Sequence, residues 1–446
     1  MKKILIKNAK IVNEGKVTNG DVYIEDDLIV DVADMISAKS QDVQIIDAEG
    51  QHLLPGIIDD QVHFREPGLT HKEDIASGSK AAVAGGITSF IEMPNTNPQT
   101  TTIEKLQEKF DLAKKVSYAN FSFMFGGTND NLEEIKKVDP KTTAALKLFL
   151  GSSTGNMLVD DEKVLEQIFK NSPVMVVAHC EDEETIQKNL AEYKKEYGDN
   201  IPVEFHPKIR SEEACYLSSS KAVALAKKTG ARLHVFHIST AKELSLFDSK
   251  KPLKDKKITA EVCIHHLWFN DEMYHEKGTF IKWNPAVKTK KDQDALLKGV
   301  IDNKIDVIAT DHAPHTKEEK QNVYTKAPSG GPLVQHALPA MLEFYHRDKI
   351  SLEKIVEKMC HNPAILFQIE KRGYIKKGYK ADLVLVDLNA PWTVQKDNIL
   401  YKCGWSPFEK TTFKSRITHT FVNGKLVYKN FKVLDVKNAE QLTFNR

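Results

Sequence analysis

The chain has 446 residues, of which 41% are hydrophobic, and this length and composition are typical of a soluble globular protein with one large and one smaller domain. Its 63 basic and 62 acidic side chains leave a formal net charge of +1, which excludes a global field that would attract nucleic acid, an anionic membrane or an acidic partner. The charge balance therefore favours a small-molecule substrate.

The cysteines and the first residues indicate the cellular compartment. The five cysteines are Cys180, Cys215, Cys263, Cys360 and Cys403. They show no C-x-x-C spacing and are odd in number, so we expect free thiols in a reducing cytoplasm rather than a disulfide framework. The opening residues MKKILIKNAKIVN alternate apolar and polar residues, which predicts a strand rather than a signal peptide. No segment approaches about 18 consecutive apolar residues, so we predict no membrane span.

Short alternating segments at both ends of the chain predict antiparallel strands. Near the start they are ILIKNAKIV, GDVYIEDDLIVDV and VQIIDAEG, and near the end they are GYIKKGYKADLVLVDL and SRITHTFVNGKLVYKN. The Asn423-Gly424 pair in the last segment predicts a tight hairpin. We therefore predict one small β-sandwich domain built from residues 1–52 together with residues 370–446. Residues 53–369 would form a second domain inserted between them.

Eight apolar, strand-like runs recur in the central region, and helical patterns follow most of them. The runs are residues 56–64, 86–93, 119–127, 144–150, 173–181, 231–239, 258–269 and 306–314. Helices are predicted at KEDIASGSKAAVAG, TTIEKLQEKFDLAKK, DDEKVLEQIFK, SEEACYLSSSKAVALAKKTG and KDQDALLKGVIDN, with Gly230 ending the fourth. Eight alternating units predict an α/β fold of the (β/α)8 TIM barrel type, with a doubly wound parallel sheet as the main rival.

Side chains that bind metals stand at the carboxyl ends of four of these strands, where barrel enzymes keep their active sites. They are Gln61 and His63 on the first strand, His179 on the fifth, His234 and His237 on the sixth, and Asp311 on the eighth. A single histidine is more often a hydrogen-bonded structural residue than a ligand. Candidate ligands at four equivalent strand ends reverse that expectation and favour a zinc site of nitrogen and oxygen donors.

Lys147 is a less obvious candidate within the fourth strand. Alternation in AALKLFL places it on one face with Ala145 and Phe149, inside an otherwise apolar wall. Burying an unpaired ammonium group there is costly. Two interpretations remain: a lysine paired with a nearby carboxylate, or a lysine carbamylated by carbon dioxide, which would become an anionic metal ligand.

Other polar residues near the strand ends suit an anion. Arg65 shares a face with Gln61 and His63 and offers a guanidinium fork for a carboxylate. Asn95 in EMPNTNP and His315 in DHAPH follow the second and eighth strands. For Asn95, and for Asn284 in IKWNPA, a turn-forming role next to proline is as consistent with the local sequence as substrate binding.

Motifs along nearly the whole chain resemble the amidohydrolase superfamily and, within it, the longer class I type of dihydroorotase. They are LLPGIIDDQVHFREPG, GGITSFIEMPNTNP, ALKLFLGSSTGNM, VAHCED, HVFHIST, AEVCIHHL, WNPA, ATDHAPH and GYIKKGYKADLVLVD. The REPG, MPNT and DHAPH loops are the more specific part of this resemblance. It implies a zinc-dependent, reversible cyclisation of N-carbamoyl-L-aspartate to dihydroorotate, a step of pyrimidine synthesis. It also implies a homodimer or a complex with a transcarbamoylase.

The resemblance further implies roles for individual residues. The metal ligands would be His63 at the first metal, His179 and His237 at the second, carbamylated Lys147 between them, and Asp311, which would also be the general base. The residues that contact substrate would be Arg65, Asn95 and His315 around its carboxylate, with Asn284 and the loop at Gly330 touching the ring.

The sequence departs from this family at Gln61, which occupies the position of the first histidine of H-x-H. An amide oxygen is a neutral and weaker zinc ligand than imidazole. We therefore expect one well-held zinc and leave a second, weaker metal open. Two rival functions also remain: a related hydrolase of hydantoins, dihydropyrimidines or allantoin, and a non-catalytic scaffold that keeps the barrel.

Overall fold

The computed structural model describes residues 3–38, 42–151 and 157–446. The first two residues of the predicted N-terminal strand and residues 152–156 of the ALKLFLGSSTGNM motif lie outside the described residues. None of the helices in the described ranges combines the length and the apolar character needed to cross a membrane. All five cysteines are free thiols, as the sequence predicts.

The strands divide between a sheet formed by the two ends of the chain and a central parallel barrel. The strands from the first part of the chain are β1 (Lys3–Asn13), β2 (Lys16–Glu25), β3 (Leu28–Ala33), β4 (Val43–Asp47) and β5 (His52–Pro55). The barrel strands are β6 (Ile57–Val62), β7 (Ile87–Glu92), β8 (Asn120–Phe123), β9 (Phe125–Gly126), β10 (Leu146–Phe149), β11 (Val176–His179), β12 (Leu233–Val235), β13 (Ile258–Cys263) and β14 (Val307–Ala309). The last strands are β15 (Leu383–Asp387), β16 (Trp392–Thr393), β17 (Thr412–Phe413), β18 (Arg416–Val422), β19 (Lys425–Lys429) and β20 (Lys432–Val433).

Both ends of the chain form one nine-stranded sheet, in the order β20-β19-β18-β15-β5-β1-β2-β3 with β4 paired to β1. Strand β5 joins the two ends because it pairs in parallel with β1 and antiparallel with β15. Asn423 and Gly424 turn the chain between β18 and β19, both with positive φ, as the hairpin prediction requires. A Cβ atom at Gly424 would lie 2.0 Å from the Asp26 carbonyl oxygen, so this turn requires glycine. The sheet fits the predicted small β-sandwich, and its sequence bounds remain our proposal.

The central strands form the predicted (β/α)8 barrel, and all eight predicted strands are present. Parallel pairing runs from β6 through β8 and from β9 through β14, with Met124 interrupting the third barrel strand between β8 and β9. The barrel closes where the His63 amide donates to the His312 carbonyl at 2.7 Å, next to the parallel bridge from Val62 to His312. Closure between the first and eighth strands excludes the open, doubly wound alternative.

The helices surround this barrel. They are α1 (Ile75–Ala84), α2 (Ile103–Val116), α3 (Leu132–Ile135), α4 (Glu162–Asn171), α5 (Glu183–Tyr197), α6 (His206–Ile209), α7 (Glu212–Thr229), α8 (Ile264–Trp268), α9 (Tyr274–Lys277), α10 (Lys290–Ile301), α11 (Lys317–Lys320), α12 (Ala337–His346), α13 (Leu352–Val356) and α14 (Asn362–Phe367). The five predicted helices correspond to α1, α2, α4, α7 and α10, and Gly230 ends α7 in the left-handed conformation. The sequence did not predict α5, in which Ile186 is the fully buried residue, or α12, whose first turn contains Pro339.

A buried cluster of apolar side chains packs inside the barrel. Ile58, Ile91, Val177 and Phe236 belong to one buried cluster, which α14 covers with Phe367. At the carboxyl ends of the strands, by contrast, polar side chains meet around open space.

Candidate active site

One cavity at the carboxyl ends of the barrel strands collects the predicted site residues. Its volume is about 110 Å³. The predicted residues that line it are Gln61, His63, Arg65, Asn95, Lys147, His179, His237, Asn284, Asp311, His315 and Gly330. Side chains from strands far apart in the chain therefore face one small volume, which is the arrangement that a metal-assisted reaction on a small molecule needs.

His63 and Asp311 meet where the first and eighth strands close the barrel. His63 Nε2 lies 3.2 Å from Asp311 Oδ1. The other ring nitrogen, Nδ1, donates to the side-chain oxygen of Asn95 at 2.8 Å. Burial and the neighbouring positive charges lower the pKa of His63 despite the pull of Asp311. The neutral ring therefore directs an Nε2 lone pair at a carboxylate, which is favourable only when a cation binds between them.

His179 and His237 form a second pair. His179 Nδ1 lies 3.0 Å from His237 Nε2, and the far nitrogen of His179, Nε2, donates to Glu181 at 2.9 Å. Arg210 forms an ion pair with the same carboxylate. Burial alone would raise the pKa of Glu181, but Arg210 and His179 outweigh it and bring that pKa to about 2. An ionised carboxylate that fixes the tautomer of a histidine is the usual support behind a metal ligand.

Lys147 lies within the wall of the cavity with 1% of its surface exposed. Its Nζ atom is 4.9 Å from the ring centre of Phe149 and 4.2 Å from that of Phe236. Burial lowers the pKa of Lys147 to about 8, against the opposing pull of Asp311 and Glu261. No carboxylate in the described residues forms an ion pair with this lysine, so the paired-lysine alternative lacks the partner that it needs.

Arg65 and His315 form the anion-binding side of the cavity. The Nε atom of Arg65 donates to the Pro314 carbonyl at 3.1 Å, and its Nη2 lies 3.1 Å from His315 Nε2. Lys72 donates to the opposite nitrogen of His315 at 3.0 Å. Burial, followed by the charge of Arg65, holds the pKa of His315 well below its ordinary value. Glu319 already pairs with Lys72 at 3.0 Å, so the buried guanidinium of Arg65 is the group that favours a bound carboxylate.

Three residues of the cavity have positive φ angles although they are not glycines. They are Arg65 at 64°, His237 at 35° and Asp311 at 48°. Side chains with a Cβ atom rarely adopt this conformation, and such strain concentrates at functional sites. The backbone is therefore bent to direct these three side chains into the cavity.

Gln61 lines the cavity, but its amide oxygen already has a partner. The Cys263 thiol donates to Gln61 Oε1 over 3.6 Å. The loop that contains Gly330 packs closely against Ala313, because a Cβ atom at Gly330 would lie 2.4 Å from the Ala313 carbonyl oxygen. The Gly330 amide donates to the Lys282 carbonyl at 2.9 Å, which fixes that loop against the cavity.

The four predicted histidine and aspartate ligands form two pairs rather than one compact cluster. Among the described residues, the one group of three His, Cys, Asp or Glu ligand atoms within 4.8 Å of one another is Asp60, His234 and Glu261, which lie within strands β6, β12 and β13. His234 thus lies away from the cavity, whereas His237 lines it. The donor types of the two pairs still suit a transition metal, because imidazole nitrogen and carboxylate oxygen are common ligands of such ions.

Sequence reasoning missed several residues of the site. Glu181 stands two residues after His179, and this spacing within VAHCED could have indicated it. Arg210 is 29 residues from Glu181 and has no local signal. The remaining lining residues of the cavity are Phe149, Trp283 inside the WNPA motif, Ala313 and Ser329.

Comparisons with known proteins agree with this architecture. The amidohydrolase family model matches residues 52–427. The chain is 36% identical over 442 residues to the dihydroorotase of Carboxydothermus hydrogenoformans, covering 95% of this chain and 98% of that protein. It is 33% identical to the dihydroorotase of Methanosarcina mazei, covering 92% and 91% of the two chains. Among solved structures, L-hydantoinase (dihydropyrimidinase) from Arthrobacter aurescens superposes with a TM-score of 0.92 at 26% identity, covering 99% of this chain and 100% of the other.

Proposed function

The chain belongs to the amidohydrolase family, and from that membership we propose that it is a metal-dependent dihydroorotase. It would interconvert N-carbamoyl-L-aspartate and (S)-dihydroorotate in de novo pyrimidine synthesis. The dihydroorotases to which it is similar match nearly its full length. The single observation that carries the proposal is the position of Arg65 and His315, 3.1 Å apart, in the same small cavity as Asp311 and His63.

That observation matters because dihydroorotate differs from most cyclic amide substrates by a carboxylate on its ring. Arg65 is buried, and desolvation lowers the pKa of its guanidinium to about 10, so it remains charged at neutral pH. A buried guanidinium without a bound anion is costly, and a substrate carboxylate would offset that cost. Asn95 would join this contact, while Asn284 and the backbone at Gly330 would touch the ring.

The residues present fit a metal. His63 and Asp311 would hold one ion, His179 and His237 would hold another, and carbamylated Lys147 would stand between them. The lone pairs that face a carboxylate across 3.2 Å and a second imidazole across 3.0 Å support this assignment. Bound zinc would activate a water molecule at neutral pH and polarise the ring carbonyl. Because Gln61 replaces an imidazole, we propose one firmly held zinc and leave the second open.

Carbamylation of Lys147 follows from its surroundings. Its amine must be uncharged to attack carbon dioxide, forming an N–C bond with release of one proton. A pKa of about 8 makes that form accessible near neutral pH, unlike the ordinary lysine value of 10.5. The anionic carbamate would also replace a buried cation that has aromatic rings, rather than a carboxylate, beside it.

Asp311 is the proposed proton carrier. In the hydrolytic direction its carboxylate would accept a proton from the attacking water and return it to the ring nitrogen that leaves. The reverse sequence would close the ring. Its positive φ and its contact with His63 hold the carboxylate over the cavity. Arg65 and His315 would meanwhile keep the substrate in one orientation, which lowers the entropic barrier.

A second candidate is a hydrolase of uncharged cyclic amides such as hydantoins or dihydropyrimidines, because the solved structures that resemble this fold include hydantoinases. Steady-state rates with dihydroorotate, dihydrouracil and hydantoin, together with zinc analysis, test the two. We expect a preference for dihydroorotate in kcat/KM. A preference for the uncharged rings would reject the proposal, and zinc-free, inactive protein would favour a scaffold role. Cytoplasmic location, and a homodimer or a complex with a transcarbamoylase, stay predictions.

A further inference from the structure

Beneath the cavity lies a second group of ligand-type side chains, formed by Asp60, His234 and Glu261. They come from β6, β12 and β13, and all three side chains are fully buried. His234 Nε2 lies 3.6 Å from Asp60 Oδ2 and 3.7 Å from Glu261 Oε2. These separations exceed a hydrogen bond, so the three groups surround a gap rather than bond to one another.

The atoms that face this gap have no hydrogen-bond partner among the described residues. They are both carboxylate oxygens of Asp60, Nε2 of His234 and Oε2 of Glu261. In the same described part of the chain, neither carboxylate forms an ion pair with a lysine or an arginine. Two buried carboxylates without a cation are strongly destabilising. A proton on His234 or a cation bound at the centre would offset this cost.

The remaining contacts orient the three side chains towards the gap. The far nitrogen of His234, Nδ1, donates to the Thr259 hydroxyl at 2.8 Å. In the neutral imidazole this bond leaves the Nε2 lone pair pointing at the two carboxylates. The other oxygen of Glu261 accepts from the His237 amide at 3.3 Å and lies 3.4 Å from the Cys263 sulfur, which holds Oε2 towards Asp60 and His234. Such support from the far side of each ligand is typical of metal sites.

We infer that Asp60, His234 and Glu261 bind a divalent transition-metal ion, of the zinc or manganese type, at a site separate from the catalytic cavity. Two carboxylates and one neutral imidazole carry a charge that balances a divalent ion. Zinc binds such ligands at about 2.0–2.2 Å, so two of them stand roughly 3.4 Å apart around one ion. The observed separations of 3.6 and 3.7 Å need only a small contraction.

The register of β6 explains how this site and the cavity coexist on adjacent residues. In a regular strand, Asp60 and Gln61 would point to opposite faces. The pairing of β6 with β7 shifts register between Asp59 and Val62. Gln61 therefore lines the cavity while Asp60 reaches His234. An ion bound there would tie three barrel strands together directly below the proposed catalytic ligands.

Complete burial gives this site a distinctive exchange behaviour. The ligands of the cavity face open space, whereas the lower group has no exposed atom through which a chelator could approach. We expect EDTA to remove metal from the cavity of the folded protein and to leave one equivalent per chain, which is released only on unfolding. This expectation does not depend on which reaction the cavity performs.

Crystals of the full chain grown with ZnCl2 or with MnCl2, then treated with EDTA, test the inference by anomalous scattering at each metal edge. We expect a peak within about 2.0–2.5 Å of the three ligand atoms, with one retained equivalent by elemental analysis. Absence of that peak with both metals overturns the inference and leaves a proton on His234 as the buried cation. A retained ion found only at His63, His179 or His237 also overturns it.

Two variants test whether Asp60 is a ligand of the retained ion. Asp60→Leu should lose the EDTA-resistant equivalent, whereas the matched control Asp59→Asn should keep it. Asp59 is the neighbouring buried carboxylate, but it accepts a hydrogen bond from the Thr310 hydroxyl at 2.6 Å and faces no ligand group. Retention of the full resistant equivalent in folded Asp60→Leu overturns the inference. If that variant does not fold, the wild-type anomalous measurement decides alone.

Discussion

The imidazole of His63 and the carboxylate of Asp311, 248 positions apart in the chain, lie 3.2 Å from each other where the first and eighth strands close the barrel. The His63 amide hydrogen bond to His312 forms this closure, so the fold itself sets the spacing of the pair. A contact between a lone pair and a carboxylate at this distance needs a cation. The proposed metal chemistry therefore depends on barrel closure.

Replacing Asp311 with asparagine should remove the proton carrier and keep its shape. We expect kcat for dihydroorotate hydrolysis to fall by about 10²–10⁴-fold, the usual contribution of a general base. Zinc held by His179 and His237 should stay bound, as elemental analysis would measure. Asp302→Asn, at the end of α10, is the control and should leave both kcat and the zinc content unchanged. Full activity in Asp311→Asn would remove this residue from the proposed role.

Replacing Arg65 with methionine should reveal the carboxylate contact. Loss of a charge-assisted hydrogen bond of about 1.5–3 kcal/mol predicts that kcat/KM for dihydroorotate falls by about 10–100-fold. Any turnover of dihydrouracil, which lacks the carboxylate, should change much less, and it serves as the internal control. Equal losses for both substrates would show that Arg65 supports the fold of the cavity instead of recognising the anion.

Glu181 is a positioning residue, because it acts through His179. Glu181→Gln should weaken zinc affinity by about 10–100-fold, the range seen when the support behind a metal ligand is lost. Competition with a fluorescent chelator measures this affinity directly. Glu184→Gln, an exposed carboxylate three residues later in the first turn of α5, provides the matched control. Unchanged zinc affinity in Glu181→Gln would contradict the role, even if activity fell.

Carbamylation of Lys147 should depend on pH. Burial lowers its pKa to about 8, so the metal-free protein should hold a charged amine below that pH and a reactive, neutral amine above it. With 13C-labelled bicarbonate, a protein carbamate NMR signal should therefore grow as the pH rises from 7 to 9, the interval that brackets the pKa.

The control for this experiment is a second buried lysine. The pKa of Lys358 is also lowered to about 8, chiefly by burial, but it lies outside the cavity and donates to the Ile305 carbonyl. The carbamate signal should vanish in Lys147→Met and persist in Lys358→Met. A signal that persists without Lys147 would place the modification elsewhere.

Arg372 should stabilise the attachment of the terminal sheet to the barrel. It forms a buried ion pair with Asp382, which in turn accepts from Asn120 of barrel strand β8 at 3.2 Å. Arg372→Met leaves the carboxylate buried without its partner, which costs about 3–5 kcal/mol. Denaturant unfolding should show this loss, and Asp382→Leu added to it should recover part of the stability.

The exposed pair between Lys298 and Asp302 supplies the comparison. Lys298→Met should cost less than about 1 kcal/mol, since solvent screens surface ion pairs. A similar midpoint shift in both lysine and arginine variants would argue against a special role for the buried pair.

The local spacing of hydrophobic residues predicted most of the strands and helices of this fold. Alternating or continuous apolar runs identified all eight barrel strands, and helical spacing with a glycine stop identified α7 and its end at Gly230. It failed for α5, whose apolar stripe of Ile186, Leu190, Tyr193 and Tyr197 stands among many charged residues, and for α12, because the proline in its first turn suggests a break.

The sequence by itself predicted most of the residues that face the cavity. Parallel strands of a barrel bring their carboxyl ends to one edge, so polar residues at the ends of apolar runs can be assigned to that edge from the sequence. Only the tertiary structure decided how those residues pair. The register shift in β6, the left-handed backbone at His237 and the contact of Glu181 with Arg210 arise from packing between segments distant in the chain. Such contacts cannot be predicted from the local sequence, because their energies depend on residues that become neighbours only when the chain folds.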